Sequence, residues 1–170
     1  MTEKMRRARK AMKEALLSII KDENRIITDQ IDPQYLSDNL GRKKGTAEAV
    51  VFPVSTEEVS GVMHYAWENN LPVTPRGAGT NLVGSTVPSG HGIVLDVSLM
   101  NHVLELDEET FTATVEPGVV LEDFQAYVES KGLFYPPDPG EKKATIGGNI
   151  STNAGGMRAV KYGVTRDYVM

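Results

Sequence analysis

Pro75-Arg76-Gly77-Ala78-Gly79-Thr80-Asn81-Leu82-Val83-Gly84 is the stretch on which the reading of this 170-residue chain turns. A short strand, Pro72 to Pro75, runs straight into it. Glycines at 77, 79 and 84 permit positive φ and leave no Cβ in the way of a ligand. Successive backbone N–H groups can then point at one anion. Thr80 and Asn81 add side-chain donors, and Arg76 can offset phosphate charge in bidentate fashion. Arg76, Gly77, Ala78, Gly79, Thr80, Asn81 and Gly84 are therefore candidate phosphate-binding residues. The alternative, a plain connecting loop, does not account for so many small and donating residues in one run.

Two well-known phosphate loops fail here. A Walker loop closes on Gly-Lys-Ser/Thr, and this stretch has no lysine. A dinucleotide fingerprint needs its third glycine where Leu82 stands, and a helix directly afterwards. Gly84-Ser85-Thr86-Val87-Pro88-Ser89-Gly90 cannot start one, although Asp96 lies near the distance of a ribose-binding acid.

A second glycine-rich segment lies downstream. Pro137-Asp138-Pro139-Gly140 precedes Thr145-Ile146-Gly147-Gly148-Asn149-Ile150-Ser151-Thr152-Asn153-Ala154-Gly155-Gly156. Two Gly-Gly pairs beside Asn149 and Asn153 place backbone and amide groups where no bulky side chain stands. Such a surface suits a flat, polar-edged ring system; paired tight turns are the bland alternative. Thr145 is expected to cap a short helix beginning near Ile146. Two such segments in one small chain favour a shared, extended ligand.

Around these loops the chain reads as mixed helices and strands. Met5, Ala8, Met12, Ala15, Leu16, Ile19 and Ile20 mark one face of a first helix, with Lys4, Arg6, Arg7, Arg9, Lys10 and Lys13 opposite. A basic amphipathic helix lies on an anionic membrane, docks a partner, or presents a solvated face; the last is the expectation. Residues 22–48 read as a turn-rich connection, followed by a strand at Ala49 to Phe52. Ser55 and Glu58 form a capping box ahead of a helix whose apolar face is Val59, Val62, Met63, Ala66 and Trp67, stopped by Asn69-Asn70. Strands follow at Gly92 to Val97, His102 to Leu106 and Phe111 to Val115, the last two joined as a hairpin through Asp107-Glu108-Glu109-Thr110. A helix over Val119 to Lys131 carries Val120, Phe124, Tyr127 and Val128 on one face, with Gly132 placed for a left-handed cap. Arg166 to Met170 reads as the start of another strand, so the chain is taken as a fragment of something longer.

The bulk composition narrows the function. A net charge of −5 argues against a nucleic-acid partner and leaves any anionic ligand to local features. With no cysteine there is neither a disulfide framework nor a thiolate metal site, and no cluster of histidines and carboxylates suggests another metal. No apolar run approaches the ~20 residues that cross a bilayer, and no secretory signal opens the chain, so a cytoplasmic protein is expected.

Arg76 to Gly84, Pro137-Asp138-Pro139, Thr145 to Gly156 and Tyr162-Gly163 together resemble the FAD-binding domain of the vanillyl-alcohol oxidase (PCMH) type. The likeness is greatest to its branch of glycolate oxidases and FAD-linked D-lactate dehydrogenases. It covers roughly Ala49 to Met170, and Thr145 to Gly163 is its most specific part. The resemblance implies an α+β fold of two lobes with FAD between them: the first at 49–135, the second beginning at 136 and truncated, and residues 1–48 a preceding helix and connection. It makes Arg76 to Gly84 the pyrophosphate loop. It lays Gly147, Gly148, Asn149, Ser151, Thr152, Asn153, Gly155 and Gly156 along the flavin, with Pro137, Asp138, Thr145, Ile146, Tyr162 and Gly163 in the same group of cofactor contacts. Some relatives attach FAD through histidine or cysteine. His64, His91 and His102 fall outside both glycine-rich segments, so non-covalent FAD is expected.

By the same resemblance the parent enzyme oxidises a 2-hydroxy acid, glycolate or D-lactate, and can pass electrons to a partner subunit. Its substrate and proton-accepting groups follow the FAD lobe in sequence, so no catalytic residue is assigned here. Two other readings stand beside this one. The chain is an FAD-binding piece without turnover, or it is akin to the UDP-N-acetylenolpyruvoylglucosamine reductase of cell-wall synthesis, which the run from Thr145 to Gly163 fits poorly.

Overall fold

The computed structural model describes residues 3–170, and the side chains of Lys4 and Met5 lie outside what it describes. The chain packs into two compact units, residues 1–99 and 100–170. The secondary structure is mixed α and β throughout.

The first unit is built on a four-stranded sheet in the order β1 (Ile26–Ile27), β2 (Ala47–Val51), β4 (Gly92–Asp96), β3 (Val73–Arg76). β2 and β3 each run parallel to β4, and β1 is antiparallel to β2. β4 is central and buried along its whole length, as a continuous apolar run should be in a parallel sheet covered by helices. Helices α1 (Glu3–Ile20) and α2 (Thr56–Glu68) cover one face of it. Met12, Leu16 and Ile20 of α1 and Val62 and Ala66 of α2 share one core with Ala49 and Val51 of β2 and with Ile93 and Leu95 of β4. The i, i+2 spacing on both strands puts these four on one face.

The start of α2 differs in one detail from a capping box. The Ser55 hydroxyl accepts from the Glu58 N–H at 3.3 Å, as expected. The Glu58 carboxylate, however, accepts from the Val54 N–H at 2.9 Å and forms an ion pair with Arg25. An unforeseen strand partner explains it. The connection at 22–48 contains β1, and β1 brings Arg25 alongside the helix start. The apolar face of α2 also turns out narrower than its sequence suggests. Met63 is 48% exposed and Trp67 83% exposed, while Tyr65 packs on the core.

The second unit holds the hairpin β5 (Val103–Asp107) and β6 (Thr112–Val115), then α3 (Leu121–Glu129), α4 (Ile146–Thr152) and the single turn α5 (Ala159–Tyr162). The hairpin turn is held by the Asp107 carboxylate, which accepts from the N–H groups of Glu109 and Thr110. On α3 the buried residues are Leu121, Phe124 and Val128, with Tyr127 turned outward and Val120 at the cap position. At the helix start the Leu121 N–H donates to Ala144 O, which satisfies one of the N–H groups that a first turn leaves unpaired. Gly132 takes φ +73°, as a left-handed cap requires. The terminal stretch is a 3-10 turn, Thr165–Tyr168, where a strand was expected: the Asp167 carboxylate accepts from the Val164 N–H and curls the chain. The packing division falls ahead of the lobe division expected at 135/136. The reason is that the α3 residues share their core with Ile146 of α4.

Leu16→Ala should lower unfolding stability by about 2–5 kcal/mol, because a fully buried side chain leaves a cavity among β2, β4 and α2. Leu17→Ala, one position on and 36% exposed, should cost less than about 1 kcal/mol. Urea unfolding of the two variants checks the helix register directly.

Candidate functional site

The glycine-rich loop leaves the sheet at the carboxyl ends of parallel strands, where ligands of open α/β sheets gather. Arg76 closes β3, and its carbonyl accepts from the Val97 N–H at 2.9 Å, so sheet bonding is used up there. Among the described residues, none of the five backbone N–H groups from Ala78 to Leu82 donates an intramolecular hydrogen bond. Adjacent N–H groups that are not used within the chain can turn together on one anion. Gly79 and Gly84 take φ +70° and +80° and turn the chain within this run, while Gly77 does not use a positive φ.

The loop's side chains are arranged differently from the expectation of ligand donors. The Asn81 amide folds back: its oxygen accepts from the N–H groups of Val83 and Ser85, and its nitrogen donates to the Thr86 hydroxyl. Arg76 lies beneath the loop, only 8% exposed. Its Nη1 donates to Ser37 O at 3.3 Å, its Nε stands 3.9 Å from the Asp96 carboxylate, and its guanidinium lies 5.6 Å from the Tyr35 ring centroid. Burial pushes the Arg76 pKa down, against the Asp96 charge that raises it. Asp96 is pushed up by burial, partly offset by its hydrogen bonds from Ser98 and by the Arg76 charge.

Several residues here were not singled out from sequence. The segment Tyr35 to Asn39 flanks the loop, with the Asn39 N–H donating to Asn81 O at 3.1 Å. Asp38 between these anchors is 6% exposed, and its Oδ1 has no hydrogen-bond partner among the described residues. Lys43 lies over Gly84, its Cδ 3.0 Å and its Nζ 3.7 Å from where a Cβ would stand. Only the run Arg42-Lys43-Lys44 before Gly45 offered a signal for it.

In the second unit, Thr145 caps α4 as expected, its hydroxyl accepting from the Gly148 N–H at 3.3 Å. Gly147 is there for packing. A Cβ on it would stand 2.7 Å from the Pro117 side chain, and its N–H donates to Pro117 O at 2.9 Å. Asn149 is buried in α4. Ser151 and Thr152 spend their hydroxyl protons on the carbonyls of Gly147 and Gly148. Asn153 ends the helix in the left-handed region at φ +48°, and its side chain accepts from the Arg166 N–H. Thr165, fully buried, donates to Ala154 O. Tyr162 stacks edge-on to Phe134, and its carbonyl accepts from the Tyr168 hydroxyl, with Gly163 directly after it at φ +84°.

Asp138 ties this unit's loops together. It is 6% exposed and paired with Lys142 and, at 3.2 Å, with Arg158 Nε. The Pro137 carbonyl accepts from Gln125 at 3.0 Å, and the Asp138 backbone passes against Gly156. The hydrogen bond from Lys142, helped by the nearby Arg158 charge, holds the Asp138 carboxyl below the usual carboxylate range, against burial that raises it. Pro137, Asp138 and Gly156 are thus brought into one place by α3, α4 and the turn before α5.

Comparison with known proteins identifies the arrangement. A model of the FAD-binding domain family matches residues 47–170. The chain is 47% identical over 162 residues to the glycolate oxidase subunit GlcD of Bacillus subtilis, and covers 34% of that protein. It is 48% identical over 145 residues to the D-lactate dehydrogenase of Anaerostipes hadrus, covering 30% of it. The chain thus spans about a third of the length of these relatives. Among solved structures, an alkyldihydroxyacetonephosphate synthase superposes with a TM-score of 0.80 at 24% identity, over 92% of this chain and 31% of that one. A 6-hydroxy-D-nicotine oxidase from Arthrobacter nicotinovorans gives 0.70 at 25% identity, over 84% and 31% respectively.

The Asp138 pairing carries a pH dependence of known sign. Its folded pKa is lowered, so its contribution is fully present above the unfolded value, near about 3.9, and is lost as pH falls through the folded value. Asp138→Asn should lower the melting temperature at neutral pH and flatten the acid limb of the stability curve. Melting curves from neutral pH down to the acid limit test both.

Proposed function

We propose, from the premise that this chain belongs to the FAD-binding domain family and that FAD is its cofactor, that it is the cofactor-holding part of a flavin-dependent 2-hydroxy-acid oxidoreductase. The observation that carries the reading is the run of unpaired N–H groups from Ala78 to Leu82 at the sheet's carboxyl edge. In this reading Arg76, Gly77, Ala78, Gly79, Thr80, Asn81 and Gly84 form the pyrophosphate loop. Thr145 to Asn149, Ser151 to Asn153, Gly155 and Gly156, with Pro137, Asp138, Tyr162 and Gly163, border the flavin and its ribityl chain. The lobe division at 135/136 is kept as part of this proposal.

FAD, when bound, supplies the acceptor for an α-hydrogen leaving the hydroxy acid as a hydride equivalent. The residues of this chain bind and orient. The loop N–H groups hold the anion, and Asn81 keeps their turn in shape. The Asp138 clamp fixes the segments that approach the flavin. Non-covalent attachment suits the histidines, which are exposed and each paired with a carboxylate: His64 with Glu68, His91 with Glu48 and His102 with Glu116. The substrate is proposed to be glycolate or D-lactate, and the acceptor a partner protein or a dye standing in for it. A cytoplasmic location fits a chain in which, among the described residues, no helix is long and apolar enough to cross a membrane.

A second reading, a cofactor-binding piece without turnover, draws on the share of its relatives that the chain spans. Supplying FAD, D-lactate or glycolate and a dye acceptor separates the two, because sustained dye reduction rejects the inert piece. The shared claim is tested by flavin itself. Purified protein should be yellow, and FAD at a hundred times its Kd should add about 2.7 kcal/mol of stability. Gly79→Val should abolish that gain, since a Cβ there would run into the buried Arg76 guanidinium beneath the loop, at a position held at φ +70°. Retention of full flavin by this variant would show the loop assignment to be wrong.

A further inference from the structure

We propose that the positive charge facing the cofactor's phosphates comes from Lys43, and that Arg76 is a positioning residue supporting the loop from beneath. On the reading of Arg76 to Gly84 as the pyrophosphate loop, on which this rests, the two cations nearest that loop have different tasks.

Arg76 is poorly placed to meet an anion. Its guanidinium is buried against Ser37 O, the Tyr35 ring and Asp96. A Cβ on Gly79 would overlap its Nη2 and Cζ, so the guanidinium lies directly under the loop's turning point. Arg76 and Asp96 are also register partners at the end of β3 and β4, which fixes the strut to the sheet. A planar, permanently charged group wedged there sets the height and turn of the backbone whose N–H groups find no acceptor within the described residues.

Lys43 has the opposite character. It is exposed, and no ion pair holds it among the described residues. Its stem rests on Gly84, with Nζ 3.7 Å from the position of a Cβ there. Gly84 is the last glycine of the loop, so the ammonium stands at the rim of the N–H run. A flexible, hydrated ammonium suits a diphosphate at such a rim, acting as a point charge.

Two experiments on the whole protein separate the tasks. In the first, FAD, ADP and riboflavin are titrated into wild type, Lys43→Ala and Lys43→Arg at low and high salt. Lys43→Ala should weaken FAD and ADP about fivefold at low salt, leave riboflavin unchanged and flatten the salt dependence. Lys43→Arg should restore all three patterns. Unchanged FAD and ADP affinity in Lys43→Ala, or an equal loss for riboflavin, would overturn the role of Lys43. If wild type binds neither FAD nor ADP, the loop assignment fails and Lys43 loses its role with it.

In the second, apo-protein melting temperatures are measured for Gly79→Ala, Arg76→Ala and the double variant. The added methyl collides with the guanidinium only when Arg76 is present, so Gly79→Ala should cost much less in the Arg76→Ala background. Additive losses would overturn the strut, whatever the outcome with FAD. Asp96→Asn supplies a check that needs no change in the loop. It should weaken FAD, because the strut loses its anchor; equal or tighter binding would mark Arg76 as the phosphate ligand.

Discussion

Arg76 and Asp96 are the last paired residues of two parallel strands, and their opposite charges are buried together at the point where the chain leaves the sheet. Taking two charges out of water is expensive, and a contact at 3.9 Å repays only part of that cost. The arrangement persists because the surrounding groups share it. Ser37 supplies a carbonyl, Tyr35 a ring face and Ser98 its N–H. The gain is geometric. A guanidinium fixed at that depth leaves room above it for a glycine and for nothing larger. The glycine at 79 is therefore dictated from below by Arg76, and the loop, the strand ends and the connection at 35–39 form one mechanical piece.

The second unit solves the same problem with a different charge. Asp138 is the buried member, and the cations come to it from two later points along the chain. Here the anion is well paired, and its lowered pKa reflects that. Around it, glycines serve contact between backbones: Gly147 against Pro117 and Gly156 against the Asp138 backbone. A glycine-rich segment thus looks alike in sequence whether its missing side chains make room for a cofactor or for another stretch of the same protein. Neighbouring atoms distinguish the two. At Gly148 a Cβ would press on the Thr145 hydroxyl at 3.2 Å, at Gly155 it would make ordinary contacts, and only at Gly140 among the glycines of this stretch would it meet open space.

What could be read from the sequence was what local chemistry decides. The Ser55 and Thr145 caps, the Asp107 turn and the left-handed Gly132 each depend on residues within a few positions, and each stands as read. The α+β class came from the family resemblance, and the mixture of helices and strands agrees with it. Three features depended on partners that no local pattern reveals. β1 is two residues long, too short for any periodicity, and exists because β2 offers it an edge. Met63 and Trp67 fit an apolar stripe on α2, yet the sheet beneath has room only for the Val62–Ala66 side. The end of the chain turns because Asp167 reaches Val164, a bond that strand-like residues conceal.

The candidate site divides along the same line. Its residues were legible as a set because glycine, asparagine and threonine concentrate there, but their roles were not. A role depends on what lies behind each residue. Arg76 reads as a phosphate ligand until Asp96, beside it in the sheet, and Ser37, from the connection before β2, are seen to hold it. Asn81 reads as a donor until Ser85 and Thr86 are seen to occupy it. With the Arg76 and Asn81 side chains committed inward, what the loop itself leaves free to donate are its backbone N–H groups from Ala78 to Leu82. In a chain carrying a net charge of −5, oriented dipoles at short range are the means by which an anion can be held against the field of the whole molecule. Such a site tolerates changes on its surface and is sensitive to the packing beneath it, since a small displacement below Gly79 re-aims every donor in the run.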